Sequence, residues 1–520
     1  MNVLTISGLA KLRLHSLPCS LSYNLFSDDS SIINSNNNGK KMSQLLMGID
    51  SGSQSTKVGI FDLQGNEICY GSAPLKSTET PEPGVVYHPD DDLWDSLVRA
   101  VDNCLENFTG NKEQIAGIGL CTIRCCRVLI DEAGQLAEPV ISWMDMRMAQ
   151  PYIHQNDNVK YVTTTSGYLA LRLTGEYKDS CSNQEVHWPM NWQTLEWGTD
   201  EEIARQGLTR SQLFTLIKPG ESYGVLLPFL AQRFGLNSDI QVFATGNDKA
   251  VEVLGAGIAS AGDIMVSLGT FISAMLYRHD YYSDAESFFP TLACEPYKYV
   301  YESTGIRRGM WTVSWFKNLA GEDISKLAEL ENISEEDVLN RIAQSIKPGS
   351  DGLITVLDWL SPPSHQFRKG IMIGFDQRHT KYHIYRSILE AIAYTIKNNI
   401  DKMLTEIEAS VDRICVIGGG AKSDILVQII CDLFGKKTVT LAASSSACLG
   451  SAICAAVGLG LVTDFAQAKT TMIHIDKEYN PDPQHHAYYN MINENVYKKV
   501  RGYTDPLLSE IYPFLNKSPK

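Results

Sequence analysis

The chain has no Cys-x-x-Cys pair, no apolar run long enough to cross a bilayer and no surplus of positive charge. Its 12 cysteines are scattered, which suits a reducing cytosol and argues against a disulfide scaffold. The nearest cluster, Cys121, Cys125 and Cys126, sits in an apolar stretch and reads as buried free thiols before it reads as a metal site. The sequons at Asn107 and Asn332 are then chance matches. The longest apolar candidate, Leu449 to Val462, is short and rich in Ala and Gly, so it reads as a core helix packed closely on a sheet rather than a membrane span. A net charge of −15 argues against nucleic acid or an anionic membrane as partner, because both need a basic face.

What is present is a globular composition: 520 residues, 44% apolar and 20% charged, enough for two or three domains. Residues 1–42 differ, with a polar stretch from Ser27 to Lys41 and Met42 just before the first strand. They are expected to be a disordered extension or an upstream start and are set aside. Leu45 to Ile49 predicts a strand ending in Asp50, followed by a turn, a strand from Lys57 to Phe61, a hairpin turn over Asp62–Asn66 and a third strand from Glu67. Asp90 opens an amphipathic helix through Val101, and Ile115 to Leu120 predicts another strand.

Ile264–Ser267, the turn Leu268–Gly269–Thr270 and Phe271–Leu276 repeat the strand–polar turn–strand grammar, which suggests an internal duplication. A long helix over Tyr382–Leu404, a strand at Arg413–Ile417, a triple-glycine turn and a helix from Ser423 to Phe434 follow. Strands alternate with helices throughout, so the class is α/β. A first lobe is expected over 43–258 and a second over 259–508, joined near Gly255 to Gly262, with 509–520 as a tail.

Five stretches can carry chemistry. In Asp50–Ser51–Gly52–Ser53–Gln54–Ser55–Thr56–Lys57, glycine and hydroxyl residues in a tight turn can aim backbone N–H groups at a phosphate. Lys57 adds charge, and Asp50 can hold a hydrated Mg²⁺. The spacing is not that of a Walker loop, and a plain hairpin competes. Ser267–Leu268–Gly269–Thr270 offers the same geometry from the other half, so two such turns could clamp a polyphosphate. Gly418–Gly419–Gly420–Ala421–Lys422–Ser423 lets a flat ligand approach the backbone at a helix start. It lacks the GxGxxG spacing of a dinucleotide site.

Asp248, in Thr245–Gly246–Asn247–Asp248–Lys249–Ala250, follows an apolar strand. It can accept a hydroxyl proton in a cleft, with helix N-capping as the competing role. Arg124, Trp143, Asp145 and Arg147 form a polar set that can bond hydroxyls and stack on a sugar ring. A surface ion pair between Asp145 and an arginine is the bland alternative.

The combined set resembles the FGGY carbohydrate kinase family from about Leu45 to about Tyr503. The stretches that carry this are GIDSGSQSTKVGIFD, IGLCTIRCCRVLIDEAG, SWMDMR, LTGEYKDS, GNDKAVEVLGAG, SLGTF, RKGIMIGFDQRHT, YRSILEAIAY and GGGAKSDILVQIICDLFG, in the family's order. The resemblance implies two ribonuclease-H/actin-like lobes with an interlobe cleft, the acceptor in the first lobe and most of the nucleotide in the second.

By position it implies that Ser53, Gln54, Ser55 and Lys57 approach the terminal phosphates of ATP, with Asp50 near Mg²⁺. Gly269 and Thr270 would hold phosphates from the other side, and Gly419, Gly420 and Ser423 would lie beside adenine and ribose. Asp248 would take the hydroxyl proton, and Arg124 would bond a small sugar or polyol. Departures occur at Ile123–Arg124–Cys125, where glycerol kinases carry Arg-Glu and xylulokinases Gln-Met-His. The Arg147–Tyr161 segment is short, and Asp358–Pro363 replaces a Gly-Glu-Arg-x-Pro turn. These bear on the identity of the acceptor rather than on phosphate chemistry.

A cytoplasmic sugar kinase is therefore expected, with no nucleic-acid or membrane partner. A homodimer is the default oligomer, though no interface is legible. Three rivals stand beside it: an actin- or Hsp70-like ATPase, a catalytically silent sugar or nucleotide sensor, and a nicotinamide-dependent dehydrogenase.

Overall fold

Strand Leu45–Ser51 (β1) is buried at every position, as a central strand covered on both faces must be. Ser55–Asp62 (β2) and Glu67–Pro74 (β3) follow as antiparallel neighbours. Helix Asp92–Asn107 (α1) buries Leu93, Leu97, Ala100, Val101, Cys104 and Leu105, the stripe its period requires. Ile115–Thr122 (β4) pairs parallel to β1. Helix Thr165–Thr174 (α2), edge strand Ser222–Val225 (β5), strand Gln241–Ala244 (β6, parallel to β4) and helix Asp248–Gly255 (α3) complete the first half. The computed structural model describes residues 44–185 and 188–515. The expected extension over 1–42 lies outside them.

The second half repeats the plan. Asp263–Leu268 (β7), Ile272–Arg278 (β8), the inserted Phe288–Leu292 (β9) and Tyr299–Ser303 (β10) are followed by helix Lys381–Glu406 (α4). Arg413–Ile417 (β11), helix Asp424–Phe434 (α5), Thr438–Leu441 (β12), helix Ser446–Gly458 (α6) and edge strand Ile475–Tyr479 (β13) complete it. The first sheet runs β5-β6-β4-β1-β2-β3 and the second β9-β10-β8-β7-β11-β12-β13. Without the added edges, both read fifth, fourth, first, second, third strand of a β-β-β-α-β-α-β-α unit. The duplication expected from two turn motifs thus extends to the whole topology.

The third helix of each half seals the other half's sheet. Residues of α6 pack with Leu46, Phe61, Cys121 and Phe243 of the first sheet. Val253 of α3 packs with Met265, Met275, Val300, Cys415 and Val439 of the second. The stretch expected to be a close-packed core helix is this α6, from Ser446 to Gly458, buried on nearly every side.

Glycine makes the contacts possible. A Cβ on Gly48 would stand 1.8 Å from the Cys448 carbonyl oxygen, and one on Gly255 would stand 1.9 Å from that of Ser446. Expected and observed boundaries differ at the C-terminus. Helix Lys498–Leu515 runs through the 508/509 boundary, with Pro506 and Pro513 inside it.

Candidate active site

Two cavities take lining residues from the paired hairpins. The first, about 530 Å³, is lined by Asp50, Lys57, Tyr70, Glu252, Ser267, Gly418, Gly419, Lys422 and the Thr440–Ala447 segment. Asp50 ends β1 and is buried, while Lys57 faces it from β2, its Nζ 3.3 Å from Asp50 Oδ2. The Asp50 carboxylate raises the Lys57 pKa, outweighing the opposing effect of burial. Across the cavity, the N-terminus of α6 presents Ser444, Ser445 and Ser446, with Ser445 capping the helix by accepting from the Cys448 N–H at 3.2 Å. A 13-residue helix start with small hydroxyl residues is a natural anion site.

The glycine turn divides its labour. Gly418 holds φ +86°, where a Cβ would meet the Leu268 carbonyl oxygen at 2.8 Å. Gly419 opens on free space, and Gly420 turns inward, where a Cβ would meet Leu268 Cβ at 2.7 Å and Met310 Sδ at 2.9 Å.

The second cavity, about 460 Å³, is lined by Ser53, Ile123, Arg124, Cys125, Trp143, Asp248 and Lys249 from the first half. Phe271, Glu286–Phe289 and Glu302–Gly305 line it from the second half. Asp248 is the first residue of α3 but not its cap. Asn247 takes that role, accepting from the Lys249 and Ala250 N–H groups at 3.1 and 3.0 Å. The Asn247 amide in turn donates to Glu185 Oε1 at 3.1 Å and Thr291 Oγ1 at 2.6 Å, which pins the start of α3 between the halves.

The Asp248 carboxylate is thereby free of capping and faces Arg124, whose Nε lies 3.4 Å away. The Arg124 guanidinium also donates to Glu302 from β10 and lies over the Phe289 ring. Burial would lower the Arg124 pKa, but Glu302 and Asp248 push it well above its ordinary value. One turn along α3, Glu252 reaches the first cavity, so a single helix carries a carboxylate to each.

Of the residues singled out in the sequence, Asp50, Lys57 and Gly419 line the first cavity, and Ser53, Arg124, Trp143 and Asp248 line the second. Gln54 and Ser55 complete the first turn, and Gly269 and Thr270 the second. The second turn joins Ser267, which lines the first cavity, to Phe271, which lines the other. None of these four lines either cavity itself, nor do Gly420, Ser423 and Asp145.

Local bonds explain the last two. Ser423 caps α5 and donates to Asn340 Oδ1 at 3.0 Å. Asp145 is buried, accepts from the Val86 N–H at 2.7 Å and pairs with Arg147, so it braces the chain beneath Trp143. Sequence reasoning missed Glu252, Glu302, Phe289 and the Ser444–Ser446 run. Only the last had a local signal: small hydroxyl residues at the head of an Ala/Gly-rich helix.

Asp50 and Glu252 fit a magnesium ion, which takes one or two carboxylates and leaves other positions to water and substrate phosphates. Among the described residues no cluster of three or more His, Cys, Asp or Glu side chains could form an all-protein cage. None of the helices among them is long and apolar enough to cross a membrane.

The N-terminal domain model of the FGGY family of carbohydrate kinases matches residues 45–154 and 150–255, and the C-terminal domain model matches 264–459. The chain therefore belongs to the FGGY family of carbohydrate kinases. It is a phosphotransferase with a hydroxyl acceptor. An Escherichia coli (strain K12) protein described as the uncharacterized sugar kinase YgcE is 40% identical over 472 residues, 91% of this chain and 96% of its own.

Among solved structures, a xylulose kinase from Rhodospirillum rubrum aligns with TM-score 0.71 at 19% identity, covering 91% of this chain and 100% of its own. A gluconate kinase from Lactobacillus acidophilus aligns with TM-score 0.72 at 16% identity, covering 90% and 100%. At these identities the likeness shows the fold, two actin-like lobes.

Proposed function

We propose that this protein transfers the γ-phosphoryl group of ATP to a hydroxyl of a small sugar or polyol in the cytoplasm. The first cavity holds the nucleotide and the second the acceptor. One observation carries this reading: α3 and both hairpins, each turn taken with the strand ends beside it, contribute residues to both cavities, so donor and acceptor would meet between them. Asp248 accepts the proton of the attacking hydroxyl, while Arg124 fixes that hydroxyl's neighbours. Lys57 and the backbone of the Ser53–Ser55 and Gly269–Thr270 turns steady the phosphates.

Gly419 and the α6 N-terminus give the nucleotide close access to the backbone. Asp50 and Glu252 would hold a divalent metal, whose charge would neutralise the phosphate oxygens. The free thiols, most of them buried, suit the reducing compartment.

The test is ADP release measured over a panel of ketoses, aldoses and polyols with and without Mg²⁺. Asp248→Ala is expected to lower turnover of the active acceptor by about 10³-fold. An Asp248→Ala protein that kept its turnover would overturn the base assignment, and ADP release indifferent to every sugar would return the protein to the ATPase reading.

A further inference from the structure

Both cations that face the second cavity are already paired with carboxylates. Arg124 is held between Glu302 and Asp248. Lys249 reaches past the cavity to Glu252, its Nζ 3.1 Å from Oε2. Glu302 is fixed in turn: its Oε1 accepts from Ser273 Oγ at 2.7 Å, and it is buried. Burial would raise its pKa, yet Arg124 and Lys249 hold it below the ordinary value, so it stays ionised.

The lining thus brings two cations against three carboxylates, Asp248, Glu302 and the exposed Glu286 at the mouth. Arg124 Nη1 lacks a partner but is buried, so the exposed charge at this wall is that of the carboxylates. The rest of the wall is apolar or hydroxylic: Trp143, Phe271 and Phe289 present partly exposed rings, and Ser53 and Thr304 present hydroxyls.

From this arrangement we infer that the acceptor is an uncharged polyhydroxy compound, an aldose, ketose or polyol. Sugar acids and sugar phosphates are turned away, and Glu302 sets that choice. The inference rests on the kinase reading and narrows it. A carboxylate or phosphate on the acceptor would enter a space already bordered by three acids, and repulsion at close range in a partly buried site is strong. Neutral hydroxyls, by contrast, can donate to Asp248 and lay their C–H faces on the aromatic rings.

Glu302 matters because it holds Arg124 Nη2 from across the cleft. With Glu302 made neutral, one side of the guanidinium is released and becomes a receiver for an anion. The fold itself does not decide the matter, since structures sharing it include both a xylulose kinase and a gluconate kinase. The pairing around Arg124 does.

The experiment uses matched pairs, each neutral aldose or alditol beside its aldonate, with two readouts on the full chain: ADP release and thermal-shift binding. Wild type is expected to favour the neutral member by about 100-fold or more in kcat/KM. Glu302→Gln is expected to shrink that ratio about tenfold, chiefly by lowering KM for the acid. Wild-type preference for an aldonate, in turnover or in binding, overturns the inference, as does a Glu302→Gln ratio equal to wild type. The wild-type comparison needs no variant, so a poorly folded Glu302→Gln protein does not shelter the proposal. Neutral sugars that bind without ADP release would sink the kinase reading and leave the acceptor preference standing.

Discussion

The third helices of the two halves, α3 and α6, hold equivalent places in the duplicated topology and pack directly on one another, yet they carry opposite chemistry. Helix α3 bears Asp248 and Glu252, one carboxylate for each cavity. Helix α6 begins Ser446–Ala447–Cys448 and bears no charged residue along its length. The turns diverge in the same way: Asp50 and Lys57 flank the first, while Ser267–Leu268–Gly269–Thr270 is uncharged. Duplication supplied a symmetric scaffold, and the side chains broke the symmetry. Among these paired elements, the turn and third helix of the first half provide the carboxylates and the lysine. Those of the second offer backbone and hydroxyl groups, which can approach a polyanion without repelling it.

The largest effect should come from breaking the interlock between these helices. Gly255→Val places a branched side chain where even a Cβ would stand 1.9 Å from the Ser446 carbonyl oxygen, so both backbones must move. A loss of about 3 kcal/mol or more in urea unfolding is expected. A near-neutral result would mean that the two halves are not tied together here.

Next in size is the pH dependence built into the cap of α3. Burial pushes the Glu185 carboxyl, which receives the Asn247 amide, up to about 7 from an ordinary 4.5, with Asp248 and Glu302 adding to the rise and Arg124 opposing it. Between those values the folded chain holds a proton that the unfolded chain has lost, so stability falls as pH rises and the full penalty is present above about 7. Glu185→Gln removes that titration. Relative to wild type the variant should gain on the order of 3 kcal/mol between about pH 5 and about pH 8, read from unfolding midpoints. Helix α6, capped by Ser445, has no such carboxyl, so Ser445→Ala should lower stability by about 1 kcal/mol at both pH values alike.

The glycine turn sharpens the contrast on a smaller scale. Gly419→Val should weaken nucleotide binding by about tenfold with little change in melting temperature, because its Cβ enters open cavity. Gly420→Val should do the reverse, since its side chain would enter the space of Leu268 and Met310. Calorimetric titration beside a thermal melt distinguishes the two.

Much of this was legible in the sequence because it is local. Apolar runs ending in Asp50 and in Gly418 marked strands, and Ala/Gly-rich spacing marked α6. Asp248 stood out after a strand, although only the structure shows that Asn247 takes the cap and leaves it free. What could not be read was pairing over distance. Glu302 lies in a short alternating strand, Tyr-Val-Tyr-Glu-Ser, and nothing nearby says that it meets Arg124, 178 positions earlier. Asp145 shows the opposite case: two residues before an arginine and near Trp143, it resembled a ligand residue. Its carboxylate is taken up by local bonds to Arg147 and Val86.

Paired titrations on α3 bear most directly on the division of labour between the cavities. With Asp248→Asn and Glu252→Gln in hand, calorimetry gives the affinity of each for Mg-nucleotide and for the acceptor. Glu252→Gln should weaken Mg-nucleotide binding about tenfold and leave the acceptor within about twofold, whereas Asp248→Asn should leave nucleotide affinity unmoved while turnover collapses. The crossed pattern, with nucleotide affinity lost at Asp248 and acceptor affinity lost at Glu252, would contradict the assignment of the two cavities.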